Sequence, residues 1–179
     1  MKLLLIFDRI KNKISKIYNE RIFFLKTGYK VNLVKNMMLV NKNIKLGKNV
    51  WIYPNVTIFG DGLIEIGDKV SIGQGTIIYA SKSGGVKIGN NTMIAAQSYI
   101  IDADHGMKFG KMMRDQVNTV AAIEIGEDVW MGANVTVLKG SKIGNGAVIG
   151  AKSLVKGEIP EYSICVGVPA KVKKYRSDL

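Results

Sequence analysis

The sequence predicts an all-β chain wound as a parallel β-helix of three-sided coils, with a short helical segment ahead of it and one long loop leaving it. Three observations carry that prediction. Aliphatic residues return every six positions, through Leu46, Ile52 and Ile58, then Ile66, Ile72 and Ile78, then Ile88, Ile94 and Ile100, and after a break Ile125, Met131, Val137, Ile143, Ile149 and Val155. Glycine directly follows many of them, as at Gly47, Gly67, Gly73, Gly89, Gly126, Gly132, Gly144 and Gly150. The fifth position of each unit is small or β-branched, as at Val50, Val56, Val70, Thr76, Thr92, Ser98, Val129 and Val135. A period of six fits neither an amphipathic helix nor a strand alternating from end to end. It fits a short strand and a tight corner, repeated, so that three units close one coil and stacked coils bury each other's apolar faces at a strand spacing of about 4.8 Å.

Residues 1–33 lack the beat and read as a helical segment. Leu3, Ile6, Phe7, Ile10, Ile14 and Ile17 recur at three- and four-residue intervals, while Lys11, Asn12, Lys13 and Lys16 take much of the other face. The opening LLLIF is too short to span a bilayer and is interrupted by Asp8 and Arg9, and no small-residue cleavage site follows it. Such a segment suits a cap over the open end of the prism or a contact with a neighbouring subunit. A basic helix lying on an anionic membrane, a peripheral contact, is the alternative.

Residues 34–160 carry the repeat, weakly at first through Val34 and Val40. Two extra residues between Ile58 and Ile66, and four between Ile78 and Ile88, predict small corner bulges. Between Ile100 and Ile125 the chain holds nineteen residues more than one step of the beat, which predicts a loop excursion over 106–122. Residues 161–179 form a tail in which VGVPAKV, Val166 to Val172, ends the prism with a turn directed by Pro169.

The length of 179 residues suggests one domain, and 47% hydrophobic residues supply a continuous core. Twenty glycines at fixed corners exclude a low-complexity chain. Cys165 is the only cysteine, so no intramolecular disulfide forms, and a reducing cytoplasm is the simpler expectation. A net charge of +12 points to an anionic partner such as a phospholipid surface, a nucleotide-linked sugar or the phosphates of a coenzyme. The basic residues are scattered, without the recognition helix or aromatic arrays of a nucleic-acid reader, so no nucleic acid is expected.

The repeat resembles the hexapeptide acyltransferase family, above all in VWMGANVTVLKGSKIGNGAVIGAKSLVKGEIPEYSICVGVPAKV, Val129 to Val172, which is similar to the C-terminal signature of bacterial sugar, serine and antibiotic O-acetyltransferases. With the upstream coils the likeness covers about three quarters of the chain. It implies a left-handed prism, against the usual rule for parallel crossovers. It also implies acetyl-CoA as co-substrate, a homotrimer with sites between prisms, and no metal.

His105 is the only histidine and stands where the chain leaves the prism for its longest loop. An imidazole there can take a proton near neutral pH, as attack by an alcohol on a thioester requires. The resemblance implies that role for it. Asp102 and Asp104 flank it, and either suits the carboxylate that orients such a ring; Asp104 also fills a slot suited to a corner hydrogen bond. The resemblance places Trp130 near the histidine of the adjoining subunit, aims the Ala133 N–H at the thioester oxygen, and sets Ala151, Lys156 and Gly157 along the coenzyme groove. Many members have Thr-Lys where this chain has Lys156-Gly157, and Lys171, Lys173 and Lys174 are further candidates for the coenzyme phosphates. Met107, Phe109, Met112, Met113 and Arg114 stand in the excursion, where Arg114 suits a carboxylate or phosphate on the acceptor.

The activity so implied is O-acetylation of a sugar or nucleotide-sugar hydroxyl from acetyl-CoA in capsule, lipopolysaccharide or other surface-glycan assembly. N-acetylation of an amino sugar and a non-catalytic β-helix scaffold are the alternatives. A zinc β-helix enzyme needs several histidines, which this chain lacks. A nucleotide-sugar pyrophosphorylase needs an α/β nucleotide-binding domain for which residues 1–33 are too few.

Overall fold

The six-residue beat becomes three parallel sheets, because each unit turns through one corner and places its aliphatic residue on the inside of the next side. The structure, a computed structural model, describes residues 10, 11, 13, 14, 17, 18, 20, 21, 32, 33, 37–41 and 43–179. Face A stacks Asn32–Leu33, Trp51–Ile52, Ser71–Ile72, Met93–Ile94, Trp130–Met131, Val148–Ile149 and Ser163–Val166. Face B runs from Met38–Leu39 to Leu154–Val155 and face C from Ile44–Leu46 to Glu158–Ile159, each with six strands, which makes about six coils. The fold is the expected parallel β-helix. Its pairing runs from Asn32 to Val166, past the boundaries at 34 and 160 drawn from the beat, because Asn32 and Leu33 pair with Trp51 and Ile52, and Ile164 and Cys165 with Val148 and Ile149.

Inside, like sits on like. Ile52, Ile72, Ile94, Met131, Ile149 and Cys165 form one buried column, and Ile58, Ile78, Ile100, Val137 and Val155 another. Each fully buried aliphatic side chain contributes about 2–3 kcal/mol by area. Corner hydroxyls that enter the core are bonded back to backbone, as Thr92 Oγ1 donates to Gly126 O at 2.9 Å and Ser141 Oγ to Leu138 O at 2.7 Å. Corners take left-handed backbone at Asn49, Asn55, Asn91 and Asn134, a conformation asparagine tolerates better than most residues.

Outside, the faces differ. On face C the outward residues read Lys45, Glu65, Lys87, Glu124, Lys142 and Glu158 in register, an alternating charge ladder suited to solvent. Faces A and B instead expose Trp51, Met93 and Trp130, and Met38, Ile77 and Tyr99. The described residues from 10 to 21 are helical, and Ile10, Ile14, Ile17 and Tyr18 are exposed. Leu3, Ile6 and Phe7 lie outside the described residues. Among the described residues, no helix is long and apolar enough to cross a membrane.

The tail is a strand, Lys171–Tyr175, that turns back antiparallel along Ser163–Val166 after a cis Val168–Pro169 peptide. Arg176 pins it by donating to Asp128 Oδ2 at 2.8 Å and to Gly146 O at 3.0 Å.

Candidate active site

All three interruptions of the beat fall at the corner between faces B and C, one per coil. Strands Thr57–Gly60 and Leu63–Ile66 flank the first, Ile77–Ala80 and Gly85–Ile88 the second, and Tyr99–Ile101 and Ile123–Ile125 the third. The bulges stack. Gly62 N–H donates to Ala80 O at 2.9 Å, and a Cβ on Gly62 would run into the Ser81 carbonyl, so only glycine fits there.

Asp102 joins the second bulge to the third. Its carboxylate, fully buried, accepts the Ser81 N–H at 2.9 Å on both oxygens, Ser81 Oγ at 2.8 Å and the Gly85 N–H at 2.8 Å. The corner hydrogen bond expected of Asp104 therefore belongs to Asp102, whose oxygens are committed to that bulge and not to the imidazole. Asp104 is directed to Lys139, 3.5 Å from its Nζ.

His105 follows immediately. Ala103 and Asp104 pair antiparallel with Val120 and Thr119, and the chain departs beyond that rung. The imidazole is exposed and makes no hydrogen bond with any described residue, which leaves both ring nitrogens available to a substrate. The excursion beyond it is internally ordered by one side chain: Gln116 Oε1 accepts from Lys108 N at 2.7 Å, and Nε2 donates to Lys108 O and Lys111 O, each at 3.0 Å. Gly106 is buried where a Cβ would meet Gln116. Phe109, 106% exposed, projects outward with Met107, Met112 and Met113, and Arg114 stands exposed in the short turn Met113–Asp115.

The other expected site residues separate into two groups. Lys156 and Gly157 follow strand Leu154–Val155 on the same B–C corner, two coils beyond His105. Ala133 and Ala151 lie on the A–B corner, and Trp130, 51% exposed, on face A, which is the side of the triangle opposite the B–C corner. One chain therefore does not bring Trp130 and Ala133 to His105. The N–H of Ala133 has no acceptor among the described residues, but neither do those of Gln74, Ala96 and Ala151 at the equivalent corner positions. A free amide recurs at this corner in four successive coils, while Pro54 has no N–H at the equivalent place before them and the Gly167 N–H after them donates to Ser153 Oγ at 3.1 Å. That column of donors, with the exposed Lys171, Lys173 and Lys174 on the strand beside face A, fits the carbonyls and phosphates of a coenzyme arm, and Lys156 stands apart from it on the B–C corner. No grouping of metal-ligand side chains occurs among the described residues.

Sequence reasoning missed Ser81, Gln116 and Lys139. Only the placing of all three interruptions after a face-B unit, one per coil, signalled that the bulges share an edge.

Residues 122–157 match the family model "Bacterial transferase hexapeptide (six repeats)". The chain is 42% identical to a putative lipopolysaccharide biosynthesis O-acetyl transferase of Escherichia coli over 67% of this chain and 65% of that one. It is 34% identical to a putative colanic acid biosynthesis acetyltransferase of the same organism over 74% of this chain and 69% of that one. Across the first curated relatives it matches, it spans from 55% to 69% of their length. Among solved structures, an N-acyltransferase from Bacillus cereus in complex with dTDP and 3-hydroxybutyryl-CoA shares the fold, with TM-score 0.78 and 21% identity over 88% of each chain.

Proposed function

The chain belongs to the bacterial hexapeptide-repeat transferase family, and from that premise we propose that it is an acetyl-CoA-dependent O-acetyltransferase acting in the cytoplasm on a sugar hydroxyl during surface-glycan assembly. The observation that carries the proposal is the unbonded, exposed imidazole of His105 at the mouth of the excursion. The names of the two Escherichia coli relatives support a glycan acceptor and, in one, an oxygen nucleophile.

Acetyl-CoA supplies the acetyl group as an activated thioester. His105 accepts the proton of the acceptor hydroxyl as the oxygen bonds to the acyl carbon, and returns a proton to the sulfur as the carbon–sulfur bond breaks. Ala133 donates its free N–H to the oxygen on which negative charge develops, a contribution of about 3 kcal/mol for one well-aimed donor. Trp130 and Ala133 face away from His105 in one chain, so a complete site takes His105 from one copy and face A from the next, in line with a homotrimer having three shared sites.

The test is thiol release from acetyl-CoA by purified protein against sugars, nucleotide sugars and amino sugars. Release with one hydroxyl acceptor, giving an alkali-labile ester, is the expected result. An alkali-stable amide product would transfer the proposal to N-acetylation. Absence of both release and acetyl-CoA binding would leave a scaffold.

A further inference from the structure

Lys139 lies in the regular stretch VLKGSK, one coil beyond the excursion and on the same B–C corner. Its ammonium donates to Thr119 Oγ1 at 2.7 Å and lies 3.5 Å from Asp104 Oδ2. Thr119 and Asp104 are partners across the antiparallel rung, one on the departing leg and one on the returning leg. His105 is the next residue outward. A two-residue ladder has little stability of its own. On its inner side it is stitched by Ala121 N–H to Asp102 O and Gly140 N–H to Ala121 O, both at 3.0 Å, but those bonds stop short of the outer rung. Among the described residues, no other side chain is hydrogen-bonded or ion-paired to both legs at that rung.

We infer that Lys139 is a positioning residue: it clasps the two legs of the excursion through Asp104 and Thr119 and so fixes the direction in which the His105 imidazole leaves the prism. This rests on the reading of His105 as the proton acceptor. The clasp is geometric. Lys139 and Asp104 are both partly exposed, so solvent screens their attraction, and the hydrogen bond to Thr119 supplies the direction that a bare charge pair lacks. The arrangement also accounts for Asp104, whose carboxylate serves the ammonium and through it the backbone beside His105.

Because His105 is the only histidine, a tag-free chain gives one imidazole Cε1–H signal by NMR, read without any acceptor. Lys139→Met should keep the wild-type fold by circular dichroism while that signal shifts and broadens or splits. With an acceptor in hand, kcat should fall at least about tenfold while the KM for acetyl-CoA stays within about twofold. Lys139→Arg, which keeps a cationic donor, should restore one sharp signal and most of the rate. An imidazole spectrum of Lys139→Met superimposable on wild type would overturn the inference, as would failure of the arginine variant to restore it. If Lys139→Met does not fold, Thr119→Val, which removes the directional half of the clasp, is read by the same signal and decides it in the same way. If wild type releases no thiol with any acceptor, the catalytic reading fails while the imidazole spectrum still decides the clasp.

Discussion

Asp102 separates a structural carboxylate from a catalytic one, and its contacts predict how. Asp102→Ala leaves the Ser81 and Gly85 amides without an acceptor in a site closed to water, and the Ser81 hydroxyl without its partner. A buried donor left unpaired costs about 1–3 kcal/mol, and the hydroxyl can re-aim while the two amides cannot, so the total is about 3–5 kcal/mol. For a chain of this size, about 2–4 °C of melting temperature accompanies each kcal/mol, which gives a fall of about 6–20 °C. Asp102→Asn behaves differently. Its remaining oxygen can accept both amides while its NH2 donates to Ser81 Oγ, so about 1–2 kcal/mol and about 2–8 °C are lost. The assay is thermal unfolding at one fixed protein concentration, since assembly makes the midpoint concentration-dependent. Acetyl transfer by Asp102→Asn should stay within about threefold of wild type at 25 °C. An Asp102→Asn protein that melts like wild type yet loses activity a hundredfold would refute this reasoning and return Asp102 to the imidazole.

Two further predictions follow from the packing and the faces. Ile78→Ala, at a fully buried position of the face-B column, should lower unfolding free energy by about 2–5 kcal/mol in denaturant titration, because stacked coils cannot collapse into the gap. Co-expressed His105→Ala and Trp130→Ala chains should recover about a quarter of wild-type sites, since a shared site is intact only when each copy supplies the residue it still has; activity no higher than the mean of the two single variants would place both residues in one copy.

Much of the fold was legible because a three-sided coil makes inward position a function of count alone. Ile52, Ile72 and Ile94 could be assigned to one column without knowing any partner. The exposed place of His105 at the mouth of the excursion was legible because a lone imidazole at the largest break in the beat is a local signal. Asp102 was not, since its meaning lies in Ser81 and Gly85 on the preceding coil, and a carboxylate filling a corner looks in sequence like one flanking a histidine. Lys139 was hidden for the opposite reason: it occupies an ordinary outward position of a regular repeat, and its importance comes from the excursion that returns beside it. The separation of Trp130 from His105 follows from counting sides, which the spacing contains once the sides are lettered.

The most direct test of the catalytic account is acetyl transfer by His105→Ala beside wild type, with the acceptor that supports release. The account predicts a fall in kcat of at least about a hundredfold, with the melting temperature unchanged within about 2 °C because the imidazole is exposed and bonded to no described residue. A His105→Ala protein that transfers acetyl at the wild-type rate would contradict it and remove the imidazole from the chemistry.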